Sequence, residues 1–178
     1  VNPENIFFVG NTMIDTLKAN LPKIIKPALW NSAGLSTKEY YVLTLHRPSN
    51  VDDIEKFTRL MTTINTLAKT KVVFPVHPRT KKNLDRINES IDNIIPTDPI
   101  SYLEFIYLLK ESKGVITDSG GIQEETTVLG IPCITLRNNT ERPETITLGT
   151  NELIGENFEK LQEAFRKIER SQWKSGNI

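Results

Sequence analysis

Residues 113–130 read KGVITDSGGIQEETTVLG. The apolar run 114–117 has the length of a buried strand. It breaks at Asp118, Ser119, Gly120 and Gly121, and a helical pattern follows from Ile122 to Gly130. A strand that turns through Ser-Gly-Gly into a helix N-terminus builds an anion site. The first helical N–H groups have no partner within the helix, and its dipole places partial positive charge there. Two glycines let a phosphate approach the backbone with no Cβ in the way. Glu124 and Glu125 follow in the first turns, where a carboxylate is repelled by phosphate but suits a sugar hydroxyl. The combination points to a nucleotide or nucleotide-sugar phosphate. The same residues also fit a ligand-free turn capped by Asp118 or Ser119, so the rest of the chain has to weigh the two.

Working outward, strand-like and helix-like patterns alternate along the chain. Strands are expected over 6–9, 40–45, 71–76, 93–95, 114–117, 132–136 and 152–154, and helices over 12–25, 54–68, 81–87, 102–110, 123–129 and 158–173. Short apolar strands spaced by helices imply βαβ crossovers and a parallel sheet covered on both faces. The expected fold is therefore a single α/β, Rossmann-like, three-layer domain over residues 1–178, with about six parallel strands. In helix 54–68, Ile54, Phe57, Leu60, Met61, Ile64 and Leu67 recur at helical spacing and read as core.

A chain of 178 residues suffices for one domain with a real core. Its 22 basic and 22 acidic residues balance. No basic stripe stands out, which argues against nucleic acid as a partner. The apolar runs are strand-sized, too short for a membrane span, and no signal peptide is visible at the N-terminus. The one cysteine, Cys133, excludes an internal disulfide and reads as core. With two histidines and one cysteine, a Cys/His metal site is excluded, and no cofactor is expected. A reducing, cytoplasmic location follows as the default. The abrupt opening on a strand-like segment and the close after a long amphipathic helix suggest part of a larger protein.

In open parallel sheets, ligands gather outside the carboxyl ends of the strands. Three expected strand ends carry polar clusters: His46-Arg47-Pro48-Ser49-Asn50, His77-Pro78-Arg79 and Asp118-Ser119-Gly120-Gly121. Both histidines of the chain sit at such ends, each beside an arginine suited to phosphate or carboxylate. The segment Arg137-Asn138-Asn139-Thr140-Glu141-Arg142-Pro143-Glu144 follows another strand end. It reads either as a solvated loop with an internal ion pair or as a loop that closes over a ligand.

The ordered set GNTMID (10–15), HRPSNVD (46–52), HPRT (77–80), DSGGIQEE (118–125), LGIPCITLR (129–137) and TERPE (140–144) resembles non-hydrolysing UDP-N-acetylglucosamine 2-epimerases. The likeness is to their C-terminal half and covers essentially the whole chain. It implies the glycosyltransferase-B architecture, two Rossmann-like domains with the active site between them, of which this is the second. It also implies UDP-GlcNAc and UDP as ligands, an N-terminal domain outside this sequence as partner, and a homodimer when full length.

By the same resemblance His46 acts in catalysis or holds the departing UDP. Ser119, Gly120 and Gly121 match the diphosphate turn, and Glu125 matches the carboxylate that holds the ribose hydroxyls. Tyr102 and Phe105 fall where the family places the uracil. Arg47 and His77 match positions near the UDP or near a second, activating UDP-GlcNAc, and Arg142 of TERPE joins the UDP-binding set. Many bacterial members read HRREN where this chain reads HRPSN, so the activator site stays open. The implied reaction is elimination of UDP to a glycal and re-addition with inverted C2, the acid/base carboxylates lying in the other domain. A hydrolysing epimerase, a UDP-sugar glycosyltransferase and a non-catalytic nucleotide-sugar module remain as alternatives.

Overall fold

The structure, a computed structural model, describes residues 2–176 and, at Arg79, the backbone alone. The strands are β1 (Tyr40–Thr44), β2 (Lys71–Pro75), β3 (Ile94–Thr97), β4 (Gly114–Thr117), β5 (Cys133–Thr135) and β6 (Asn151–Leu153). The α-helices are α1 (Thr12–Asn20), α2 (Leu29–Ser32), α3 (Pro48–Val51), α4 (Ile54–Ala68), α5 (Pro78–Leu84), α6 (Tyr102–Glu111), α7 (Gly120–Val128), α8 (Pro143–Thr147) and α9 (Phe158–Glu169). All neighbouring strands pair in parallel, in the order β3-β2-β1-β4-β5-β6. The chain winds outward one way from β1 and the other way from β4. Their junction is the topological switch point of a doubly wound sheet.

Burial explains the continuous apolar strands. Tyr40, Val42, Val73 and Val115 face one layer, packed with Leu17, Trp30, Ile106 and Leu109. Tyr41, Leu43, Val72 and Ile116 face the other, packed with Phe57, Met61, Ile64 and Phe165. The central strands β1, β2 and β4 thus feed two cores, and no alternating polar face arises on them. Most long helices supply their own start signal. Asn11 caps α1, Asp53 caps α4 and Asn157 caps α9, while Ser101 and Glu104 form a capping box on α6. Gly130, just past α7, takes the left-handed φ of +69° that ends a helix. No helix among the described residues is long and apolar enough to cross a membrane.

The structure corrects several sequence boundaries. Residues 6–9 form no strand: Ile6, Phe7, Phe8 and Val9 are 65–99% exposed, and none pairs with a strand of the sheet. Apolar composition alone suggested a strand there, but a strand needs a partner. The first helix stops at Asn20, where Pro22 forces a single 3-10 turn, Leu21–Lys23. Helix α5 starts earlier than expected, on Pro78, and α9 ends at Glu169 rather than reaching Trp173. The indole of Trp173 folds back instead and donates to the Thr150 carbonyl at 2.7 Å. Helix α7 begins at Gly120, so both glycines belong to its first turn. Neither has a positive φ. What they supply is space.

Candidate functional site

The switch point brings the ends of β1 and β4 side by side, with Thr44 opposite Thr117. Their hydroxyls are 2.7 Å apart, and the Thr117 hydroxyl also accepts the Ser119 N–H at 3.0 Å. This fixes how the chain leaves each strand. The next residue after Thr117 is Asp118, fully buried. Its carboxylate accepts the backbone N–H of His46 and of Arg47, the latter at 2.9 Å, and the side-chain amide of Asn50 at 3.0 Å. It also lies 2.8 Å from His46 Nδ1. A buried carboxylate is tolerated because donors surround it. Asp118 therefore neither caps α7 nor faces a ligand. It holds the 46–50 loop and orients the His46 ring through Nδ1, and the side chain is half exposed.

Arg47 lies across the same junction, its Nε donating to the Asp118 carbonyl at 3.1 Å. His77 follows β2, the next strand over, and its carbonyl accepts from Thr80 and Lys81 at the start of α5. His46, Arg47 and His77 thus share one edge of the sheet with Ser119, Gly120 and Gly121. The Ser119 side chain does not cap α7. A methyl group built on Gly121 would meet Met13 Cε at 2.7 Å, so Gly121 serves the close approach of α1.

The two glutamates of α7 part company. Glu124 is 1% exposed. It accepts from the Asn11 amide at 2.5 Å and faces Arg142 Nε at 3.1 Å. The sequence reading offered Glu124 to a sugar hydroxyl; in the fold it ties the GNT and TERPE segments to the helix. Arg142, expected in the UDP set, is the cation of that tie. Glu125 turns the other way and accepts the Tyr102 hydroxyl at 3.1 Å. Burial pushes the Glu125 carboxyl up to about 7, partly offset by the Tyr102 hydrogen bond and reinforced by the charge of Glu124. The Tyr102 phenol is pushed up to about 12, by burial first and by Glu125 second. Tyr102 is therefore a donor to the carboxylate, at the start of α6. Phe105, one turn on, packs into the core beside α1 and β1.

The 137–144 loop is docked in place. Thr140 donates to Gln123 Oε1 at 2.7 Å and accepts the Arg142 N–H at 3.0 Å. Asn151 donates to the same Gln123 oxygen at 3.1 Å and accepts from Thr135 at 2.6 Å. Pro143 opens α8 inside the stretch that looked irregular in sequence. Two roles at this edge escaped the site reading from sequence: Asp118 as an orienting group, and Arg137, which reads in sequence only as part of a loop that is either solvated or closes over a ligand. The available signal was position: Asp118 directly follows β4 and Arg137 lies two residues past β5, both at the carboxyl edge. Among the described residues no cluster of His, Cys, Asp or Glu is placed to hold a metal ion.

These features define a doubly wound parallel α/β domain whose polar groups converge at the switch point, the usual place for a nucleotide. The family model for UDP-N-acetylglucosamine 2-epimerase matches residues 1–177. The UDP-N-acetylglucosamine 2-epimerase of Methanococcus maripaludis is 40% identical over 182 residues, 96% of this chain and 50% of that protein. That of Methanocaldococcus jannaschii is 40% identical over 189 residues, 98% of this chain and 51% of its own. A crystal structure of the M. jannaschii enzyme in complex with UDP-GlcNAc and UDP superposes with a TM-score of 0.82 at 39% identity, covering 99% of this chain and 52% of that one. The chain belongs to the UDP-N-acetylglucosamine 2-epimerase family. It spans about half the length of these relatives and corresponds to the C-terminal half of their glycosyltransferase-B-like architecture.

Proposed function

We propose that this domain binds the UDP moiety of UDP-N-acetylglucosamine at its carboxyl edge and serves an enzyme that interconverts UDP-GlcNAc and UDP-ManNAc. The observation that carries the reading is the meeting, at one switch point, of the Asp118-oriented His46, the uncapped N-terminus of α7 and the buried Glu125. The diphosphate lies over Ser119, Gly120 and Gly121, with Arg47 and His77 beside it. The ribose hydroxyls bind Glu125, and the uracil lies near Tyr102 and Phe105.

In the reaction a base removes the C2 proton, the C1–O bond breaks and UDP leaves, giving a glycal. Re-addition of UDP at C1 with protonation of C2 from the opposite face gives the epimer. The C2 proton is not acidic, so stabilising the departing diphosphate is a large part of the task. His46 Nε2 reaches the diphosphate oxygen on which charge develops, with Nδ1 held by Asp118. The acid/base carboxylates come from a second domain. The exposed run Ile6, Phe7, Phe8, Val9 supports this: a contiguous apolar surface of that kind suits packing against another domain.

A homodimeric full-length enzyme, a cytoplasmic setting and a supply of amino-sugar nucleotide for polysaccharide synthesis belong to the same proposal. Incubating the full-length protein with UDP-GlcNAc and following the products by NMR tests it. Epimer supports the reading, free UDP with free sugar favours a hydrolysing enzyme, and tight binding without turnover favours a non-catalytic module. The 178-residue chain alone should be inactive, and measurable turnover by it would refute the split site.

A further inference from the structure

Arg137 follows β5 and lies beside the N-terminus of α7. Its side chain is only 9% exposed, yet Nη1 has no hydrogen-bond partner. Burying a guanidinium with an idle N–H is costly unless something completes it. Nη2 is paired with Glu141 Oε2 at 2.7 Å. The other carboxylate oxygen, Oε1, lies 3.7 Å from Arg47 Nη2. A methyl group built on Gly120 would sit 3.3 Å from Glu141 Oε1 and 3.8 Å from Arg137 Nη1. One half-exposed carboxylate thus stands between two arginines and over the first turn of an uncapped nine-residue helix. Arg137 holds the Glu141 carboxyl below the usual range, so it stands there as an anion.

Resting on the UDP reading above, we propose that Arg137 is a phosphate-binding residue of this site and that Glu141 is its exchangeable counter-ion, which the diphosphate displaces. Arg137 then gains through Nη1 the partner it lacks, and Glu141 swings into water at little cost because it is already half exposed. Arg47 changes partner in the same step. The exchange keeps the buried cation neutralised in both states and makes the empty site weaker for anions than its two arginines alone would be.

The test is titration calorimetry of the 178-residue chain with inorganic pyrophosphate, UDP and uridine, for wild type, Glu141→Gln, Arg137→Gln and the double variant. Removing a competing exposed carboxylate should tighten pyrophosphate and UDP about fivefold in E141Q, the scale of an exposed ion pair. Uridine should be unchanged. R137Q should weaken both anions, and the gain from E141Q should vanish in the double variant. Pyrophosphate binding that is unchanged or weaker in E141Q overturns the exchange, as does a gain that persists without Arg137. Wild-type binding of pyrophosphate but of neither UDP nor uridine would sink the nucleotide reading instead, and the E141Q arm would still decide the exchange. Melting curves of E141Q confirm that the folded state is intact, since Glu141 lies at the surface.

Discussion

Helix N-termini at two places in this molecule have opposite fates. Between α4 and α9 lies a cleft of about 460 Å³, lined by Asp53, Lys56, Arg59, Leu60 and Phe158 among others. It combines two helix N-termini, two cations and an apolar floor, and on shape alone it would pass for a binding site. Asp53, Lys56 and Arg59 each have a partner there. Asp53 accepts the Lys56 N–H and Asn157 accepts the Lys160 N–H, so both helices are capped. Lys56 pairs with Glu156 at 2.6 Å and donates to the Ser49 carbonyl, and Arg59 lies over the Phe158 ring at 4.5 Å. At the switch point, by contrast, α7 has no side-chain cap, Arg137 keeps an idle N–H, and His46 is oriented by Asp118 yet half exposed. The lesson is that a site shows itself by what folding leaves incomplete, more than by the volume of a cavity.

The comparison breaks most readily at His46. In the full-length enzyme His46→Ala should lower kcat by a factor of about 10²–10⁴, the range for a general acid or base. His46→Asn should recover only part of that. Lys56→Ala and Arg59→Ala, in the self-satisfied cleft, should leave kcat and KM within about twofold, as for exposed pairs. Equal damage from both groups would erase the distinction. If His46 merely ties the loop to β1, its variants will lower the melting temperature while the folded fraction turns over normally.

Glu125 sharpens the contrast within the site. If it holds ribose hydroxyls in ground and transition states alike, Glu125→Gln should raise KM about tenfold with a smaller loss of kcat. A pure kcat effect would place Glu125 in the chemistry instead. Next in size is Gly121→Ala. Its methyl group has to displace the end of Met13, which should cost about 1 kcal/mol of stability. In a Met13→Ala background the same change should cost nothing. A large loss that Met13→Ala does not relieve would mean that Gly121 is needed for more than room.

The smallest effect is on pH. An acid raised from its ordinary 4.5 to about 7 keeps its proton in the fold while the unfolded chain has released it. The folded state then binds more protons between these values, so stability falls as pH rises through that window. Glu125→Gln should flatten this part of the melting-temperature profile. Uridine, which carries no phosphate to titrate, should bind better above pH 7 than below it if the ionised carboxylate accepts its hydroxyls. An unchanged slope in the variant would remove Glu125 from the account.

The strand–turn–helix at 114–128 and the six-stranded parallel sheet were legible because period and punctuation are local. Strands β1, β2 and β4 carry their own apolar runs, and the long helices α4, α6 and α9 their own stripes. The edge containing His46, Arg47, His77 and Ser119 was legible too, through the rule for strand ends. What escaped depended on partners distant in sequence. Asp118 looked like a cap because its real donors lie some seventy residues earlier, in the 46–50 loop. Glu124 and Glu125 looked alike until the helix turned one toward Asn11 and Arg142 and the other toward Tyr102. Residues 6–9 looked like a strand because composition says nothing about whether a pairing edge is available.

The most direct measurement is a crystal structure of this chain with UDP. The account predicts the diphosphate over Gly120 and Gly121, contacting Arg47 and Arg137 with Glu141 turned away, and the ribose on Glu125. UDP seated in the cleft between α4 and α9, or a diphosphate that leaves the Glu141–Arg137 pair closed, would contradict it.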